Sequence, residues 1–298
     1  MGVLLITGAT GFIGKNLIDY IKVNHSDYII KTISQTLSNE NSISYNDFVN
    51  NNYSPDFFDD VTDVIHLAAI AHKFSFDDEK QLQEINVNYP AKLFRVTAEK
   101  SLNTFVFLSS ISVRLLEENI ILDTKQYALT KKSAELELTS CAKAFPETKL
   151  IILRPPMVYG RNAPGNFEKL IKLMKYPVGL PFGNMMFNKP SVHVKNLVSA
   201  LTTSLKNHKA DKGVFIYELS DPFIVPFNEF LKNLNKAING RAFIISFPLF
   251  LLSFLLKCLG RRKLFEKLML TYTVSNKRFI EDTSWVPAVD SKMMFKDL

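Results

Sequence analysis

Cysteine is scarce in this chain. Two cysteines in 298 residues, Cys141 and Cys258, support no disulfide framework and no metal cluster, so a reducing, cytoplasmic setting and a metal-free site are the expectations. No long apolar leader is present either: the run Val3-Leu4-Leu5-Ile6 is too short for a signal peptide, and the chain is expected to stay where it is made. Ile6 stands where an N-myristoylation signal on Gly2 would need Ser or Thr. The net charge is +7, yet no basic stripe interleaved with aromatics accompanies it, which sets nucleic acid aside as a partner. A diphosphate-bearing substrate, with a membrane surface nearby, fits that charge better. What is plentiful is ordinary: 47% hydrophobic and 22% charged residues give a globular chain with core enough for one large α/β domain or two coupled lobes.

The feature around which the chain is organised is Gly8-Ala9-Thr10-Gly11-Phe12-Ile13-Gly14, between that first apolar run and an amphipathic segment with Ile13, Leu17, Ile18 and Ile21 near helical spacing. A strand, a glycine turn and a helix in this order bring free N–H groups and the positive end of a helix dipole to a pyrophosphate. Gly8 permits the tight turn, Gly11 the close approach of backbone to phosphate, and Gly14 the packing of helix on strand. Phe12 and Ile13 supply the first-turn amides. The GxxGxxG spacing resembles the short-chain dehydrogenase/reductase superfamily and its extended, sugar-nucleotide branch. A Rossmann-type doubly wound parallel sheet is the fold this implies, over residues 1–153, with a smaller C-terminal α/β substrate lobe over 154–298 and a stretch near 189–220 returning to the first domain.

The second strand, Tyr28 to Ile33, ends at Ser34 and Gln35 without the Asp or Glu that holds an NAD ribose, and without an arginine for an NADP 2′-phosphate. NAD is the preferred cofactor and NADP the alternative. A short third strand is expected near Ile43, with Asp47 after it as an adenine ligand or a solvated loop acid. Asp63-Val64-Ile65-His66-Leu67-Ala68-Ala69 reads as a buried strand running into small residues. The resemblance assigns Leu67, Ala68 and Ala69 to the lining of the cofactor site, while His66 reads as a packed strand residue. Between about Asp78 and Lys100 the chain is helical, and Asn86 matches a family asparagine near the substrate.

Thr104 to Leu108 is a strand that delivers Ser109-Ser110-Ile111-Ser112 at its end. From Thr124 to Phe145 there is neither Gly nor Pro, which predicts a helix with Tyr127 and Lys131 on one face. A tyrosine ionises near pKa ~10 and works as a base at neutral pH only with a cation beside its phenolate. Lys131 is that cation, and Ser110 would hydrogen-bond the reacting oxygen. The set resembles the serine, tyrosine and lysine of the NAD-dependent epimerase/dehydratase family, over nearly the whole chain. Ser109 or Ser112 can share the serine's role. The stretch Val113 to Gln126 is shorter than usual and lacks the Tyr-Gly found in many relatives, so the pocket wall there is expected to differ.

Leu150 to Leu153 is a further buried strand, broken by Arg154-Pro155-Pro156-Met157-Val158-Tyr159-Gly160. In the lobe, the resemblance places Asn166, at the start of a helix, and Lys189 on the substrate diphosphate; Lys189 keeps the charge of the family's arginine without its bidentate fork. Ala242 to Cys258 is dense in Phe, Leu and Ile and is followed by Arg261-Arg262-Lys263. At this length, with Pro248 and Lys257, it is marginal for a bilayer span. It reads as a lobe helix packed into the protein, with an alternative in which 242–263 lies on a membrane surface at the inner face. Trp285-Val286-Pro287 resembles the family's closing motif. The function implied is a UDP-hexose or UDP-N-acetylhexosamine 4-epimerase serving surface polysaccharide synthesis. A 4-keto-sugar-nucleotide reductase or a non-catalytic dinucleotide-binding protein are the alternatives, and a homodimer through the helices bearing Asn86 and Tyr127 is also implied.

Overall fold

The computed structural model of the chain describes residues 2–25, 27–35, 40–71, 79–120, 125–223, 225–291 and 293–296. The first strand, β1 (Gly2–Thr7), shows why an unbroken apolar run was needed: Leu4, Leu5 and Ile6 are wholly buried, with Leu5 facing one core and its two neighbours the other. Parallel sheets covered on both faces require this. The chain continues through α1 (Phe12–Asn24), β2 (Tyr28–Ser34), β3 (Ser42–Ser44), α2 (Tyr45–Val49) and β4 (Asp63–His66). Next come α3 (Glu79–Gln83), a π-helical turn (Glu84–Asn88), α4 (Tyr89–Ala98), β5 (Thr104–Leu108), α5 (Ser112–Glu117), α6 (Lys125–Ala144) and β6 (Lys149–Arg154). Asp78 and Thr124, where two of the expected helices begin, lie outside the described residues.

After Pro155 and Pro156, which end β6, the chain forms β7 (Met157–Tyr159), α7 (Asn166–Met174), β8 (Gly179–Leu180), β9 (Ser191–His193), α8 (Val194–Lys206) and β10 (Gly213–Glu218). The remainder is α9 (Phe227–Ala237), β11 (Phe243–Ile244), α10 (Leu249–Cys258), α11 (Arg262–Met269) and α12 (Lys277–Thr283). The central sheet has seven strands in the order β10-β6-β5-β4-β1-β2-β3, all parallel. It is a Rossmann-type doubly wound α/β sheet. Its strand order reverses between β1 and β4, where Thr7 pairs with His66, and ligands of such sheets bind at that crevice.

Two apolar clusters cover the sheet. One holds Phe94, Phe105, Phe107, Ala134 and Leu138, from α4, β5 and α6. The other joins β1 and α1 to Leu197 and Leu201 of α8, Phe279 of α12 and Trp285. A third cluster holds Tyr159, Phe167, Met174, Phe230 and Leu234, all from the chain after β6. Phe12, at the start of α1, packs against both the second and the third.

Candidate active site

Each glycine of the first turn has a different reason to be glycine. Gly8 sits at φ +69°, and a Cβ there would lie 2.9 Å from the amide nitrogen of Ala68; positive φ and a facing backbone exclude a side chain. A Cβ on Gly14 would lie 2.3 Å from the carbonyl oxygen of Gly8, so α1 reaches β1 only without one. At Gly11 a Cβ would meet the Gly8 oxygen alone, at 3.2 Å, and otherwise open space. That open side, above the N-terminus of α1 with no acidic residue in its first turn, is a cradle that a side chain would fill. The amides of Phe12 and Ile13 lie in the first turn, where no intrahelical acceptor exists. These residues fit a pyrophosphate. Across the crevice, Leu67 and Ala68 donate their N–H groups to the Thr7 hydroxyl at 3.2 Å, which fixes the Leu67–Ala69 turn against the glycines. Asp47 is engaged at the start of α2: its carboxylate accepts from Ser44 at 2.5 Å and from Asn52 at 3.0 Å, and these bonds hold it below the usual carboxylate range. Ser34 ends β2 buried and Gln35 is exposed beside it, while residues 36–39 lie outside the described residues.

The three serines after β5 separate by burial. Ser109 is buried and donates its hydroxyl to the Glu135 carboxylate. Ser112 is buried as well, and its amide and hydroxyl donate to the Ser110 oxygen at 3.2 and 2.9 Å. Ser110 is half-buried and, having accepted twice, keeps its own proton to donate. Residues 121–124, part of the short stretch that follows, lie outside the described residues.

Helix α6 carries the remaining groups one turn apart. Lys131 is buried, donates from Nζ to the carbonyl of Leu108 at 2.8 Å and stands 4.5 Å from the Phe107 ring centre. Burial lowers it to about 7, against the opposing pull of Glu135. Burial also pushes Tyr127 up to about 12. That rise comes from removal from water, which disfavours the charged phenolate. His66 is buried among Tyr89, Phe105 and Phe107, 3.0 Å from the Thr7 hydroxyl, and burial lowers it to about 3. It is a neutral packing residue.

Asn86 is committed to the protein. Its amide accepts from Ile70 N at 2.8 Å and donates to Ile70 O at 3.1 Å and to Thr130 at 3.2 Å, clamping the loop after β4 to α6. Asn166 is the exposed first residue of α7, after Gly165 at φ +79°. Lys189 lies 5.5 Å from the Phe227 ring centre, with Nζ 3.5 Å from the Leu268 carbonyl.

Sequence reasoning missed a buried charge network below the serines. Glu135, one turn past Lys131, accepts from Arg154 Nε at 3.0 Å and from its terminal nitrogen at 2.6 Å, and Arg154 also reaches Glu117 of α5 at 3.1 Å. The i, i+4 spacing from Lys131 was visible, but the partner across β6 was not.

This geometry has counterparts. The chain is 28% identical over 309 residues, 98% of its own length and 93% of the relative's, to a UDP-glucose 4-epimerase of Vibrio cholerae. It is 24% identical over 246 residues, 80% of this chain and 73% of the other, to an N-acetyl-alpha-D-glucosaminyl-diphospho-ditrans,octacis-undecaprenol 4-epimerase of Escherichia coli O157:H7. In fold it resembles a UDP-glucuronic acid 4-epimerase of Bacillus cereus solved with NAD, at a TM-score of 0.73 and 19% identity over 99% of this chain and 96% of that one. The profile of the NAD dependent epimerase/dehydratase family matches residues 4–219, and the chain is therefore an enzyme of that family, with NAD as its cofactor.

Proposed function

We propose that the protein is a nucleotide-sugar 4-epimerase acting on a UDP-hexose or UDP-N-acetylhexosamine, with a product destined for surface polysaccharide. The observation that carries this reading is the position of Lys131: its ammonium is held on Leu108 O, one helical turn from Tyr127 and two residues before Ser110. The names of the Vibrio and Escherichia relatives support the reaction at C4. Gly8, Gly11, Phe12, Ile13, Gly14 and the Leu67–Ala69 turn would hold NAD, which when bound would supply a reversible hydride acceptor for C4 and a positive charge beside it. Ser110 donates its hydrogen bond to the sugar's 4-oxygen. Tyr127 takes the 4-hydroxyl proton as the C–H bond breaks, and gives it back once the 4-keto sugar has turned over, so the enzyme ends each cycle as it began. Burial alone keeps the phenol protonated at neutral pH; it becomes a base as cationic charge gathers around it, and Lys131 is the protein's share of that charge. Asn166 and Lys189 would meet the substrate diphosphate, and Asn86 would position the loop over the site without touching the sugar. Two copies would pair through the helical segment bearing Asn86 and through α6, on which Leu129 and Leu136 stand exposed seven residues apart.

The test is proton NMR of UDP-glucose and of UDP-N-acetylglucosamine with purified protein, catalytic NAD and no reductant. The 4-epimer of either sugar is the expected product. Turnover only of a 4-keto sugar nucleotide, with stoichiometric consumption of reduced nicotinamide, would make the protein a reductase instead.

A further inference from the structure

The charge of this chain is concentrated in one segment. Residues 230–265 contain seven Lys and Arg and no Asp or Glu; outside them, the remaining 29 basic residues balance the chain's 29 acidic ones. The whole net charge of +7 therefore belongs to the stretch from Phe230 in α9 to Phe265 in α11.

Helix α10 lies within that segment and has two apolar faces. At about 100° per residue, Leu249, Leu252 and Leu256 point one way, and Leu252 is buried. Phe250, Leu251, Phe254 and Leu255 point away from that side. This second face is open: Phe250 and Phe254 are 72% and 62% exposed, and Leu259, just past the helix end, is 70% exposed. Met186, also exposed, stands in a loop that Asn184 ties to Phe247 at 3.1 Å. Lys257 lies at the edge of the open face, and Gly260, at φ +67°, turns the chain directly into Arg261, Arg262 and Lys263, all exposed. Among the described residues, only Arg262 of these four cations has an acidic partner, Glu266 at 2.9 Å. The packed lobe helix expected from the sequence is thus covered on one side only.

We propose that the open face of α10 docks on an anionic lipid bilayer. The helix is about 15 Å long, and among the described residues no helix is long and apolar enough to cross a membrane, so α10 lies in the plane of the interface. Its Phe and Leu side chains enter the boundary between headgroups and acyl chains, and the cations at its end meet lipid phosphates. A second copy of the chain fits this face poorly, because a two-fold pairing would set one acid-free, basic segment against another. Lys189 touches the Leu268 carbonyl of α11, so docking brings the lobe, and the side chain proposed to bind the substrate diphosphate, to the lipid surface. The docking stands independently of the sugar chemistry proposed above.

The experiment is co-sedimentation of the full chain with vesicles of phosphatidylcholine alone or with a third phosphatidylglycerol, at low and high salt. Partition onto the anionic vesicles is expected to exceed that onto the neutral ones at least tenfold at low salt and to fall steeply at high salt. The double variant Phe254→Ser with Leu259→Ser should lose about tenfold in partition, and Arg261→Glu with Arg262→Glu should remove the preference for anionic lipid. Unchanged thermal unfolding and NAD binding serve as folding controls. Absence of binding to anionic vesicles overturns the proposal, as does binding that the serine variant retains. A dimer that the serine variant splits, without vesicle binding by the parent, would assign the face to a second copy instead.

Discussion

Helix α6 buries a lysine and a glutamate one turn apart, whereas α10, ten residues with a single charge, turns two phenylalanines and two leucines to solvent. The contrast runs against the hydropathy of the two segments. Lys131 and Glu135 go inside because carbonyl, serine and guanidinium partners wait for them there. The α10 side chains stay outside because, among the described residues, nothing covers their second face. Burial is decided by what an element meets rather than by its composition alone, and the two helices should respond to substitution in opposite ways.

The largest effect is expected at Tyr127. Tyr127→Phe removes the proton acceptor and little else, so turnover should fall by roughly 10²–10⁴ while NAD binding and the unfolding midpoint hold; loss of NAD binding would mean that the residue is structural. Glu135→Ala leaves Arg154 and Ser109 without their buried partner and should cost about 3–5 kcal/mol in denaturant unfolding, a loss that a merely peripheral pair would not show. Lys131 makes a subtler prediction. Burial holds it near 7 in the folded chain, against an ordinary ~10.4 when unfolded, so between these values the unfolded chain binds more protons and stability rises with pH. Relative to Lys131→Met, the parent should gain up to about 1.4 kcal/mol per pH unit across that window, and a flat difference would show that the buried ammonium keeps its charge. The methionine variant itself should be at least as stable as the parent at pH 7, and inactive. Smallest of all, the serine pair on α10 should shift stability by no more than about 0.5 kcal/mol; a larger loss would make that face part of the core and erase the contrast.

The same contrast explains what the sequence disclosed. The glycine turn was legible because positive φ at Gly8 and the backbone contact at Gly14 admit no other residue, and a requirement that strict is written in the chain. Tyr127 and Lys131 were legible because four residues of helix place them on one face. The choice among Ser109, Ser110 and Ser112 was not, since it depends on a glutamate 26 residues further on. Asn86 stood out by its match to a family asparagine, and the sequence does not show that Ile70 and Thr130 use its amide. For α10 the apolar residues suggested burial, and only the packing of neighbouring elements reveals how little of the helix is covered.

The second core cluster also dictates an order of events during synthesis. Leu4 and Ile6 leave the ribosome well before the residues that complete the face they present, Leu197, Leu201, Phe279 and Trp285, the last of which is pinned to Ser199 through its indole nitrogen at 2.9 Å. At about 5–20 residues per second, the nascent β1 waits for tens of seconds with one greasy side uncovered. Until the late residues arrive, that side of β1 is exposed apolar surface, the kind on which misassembly begins.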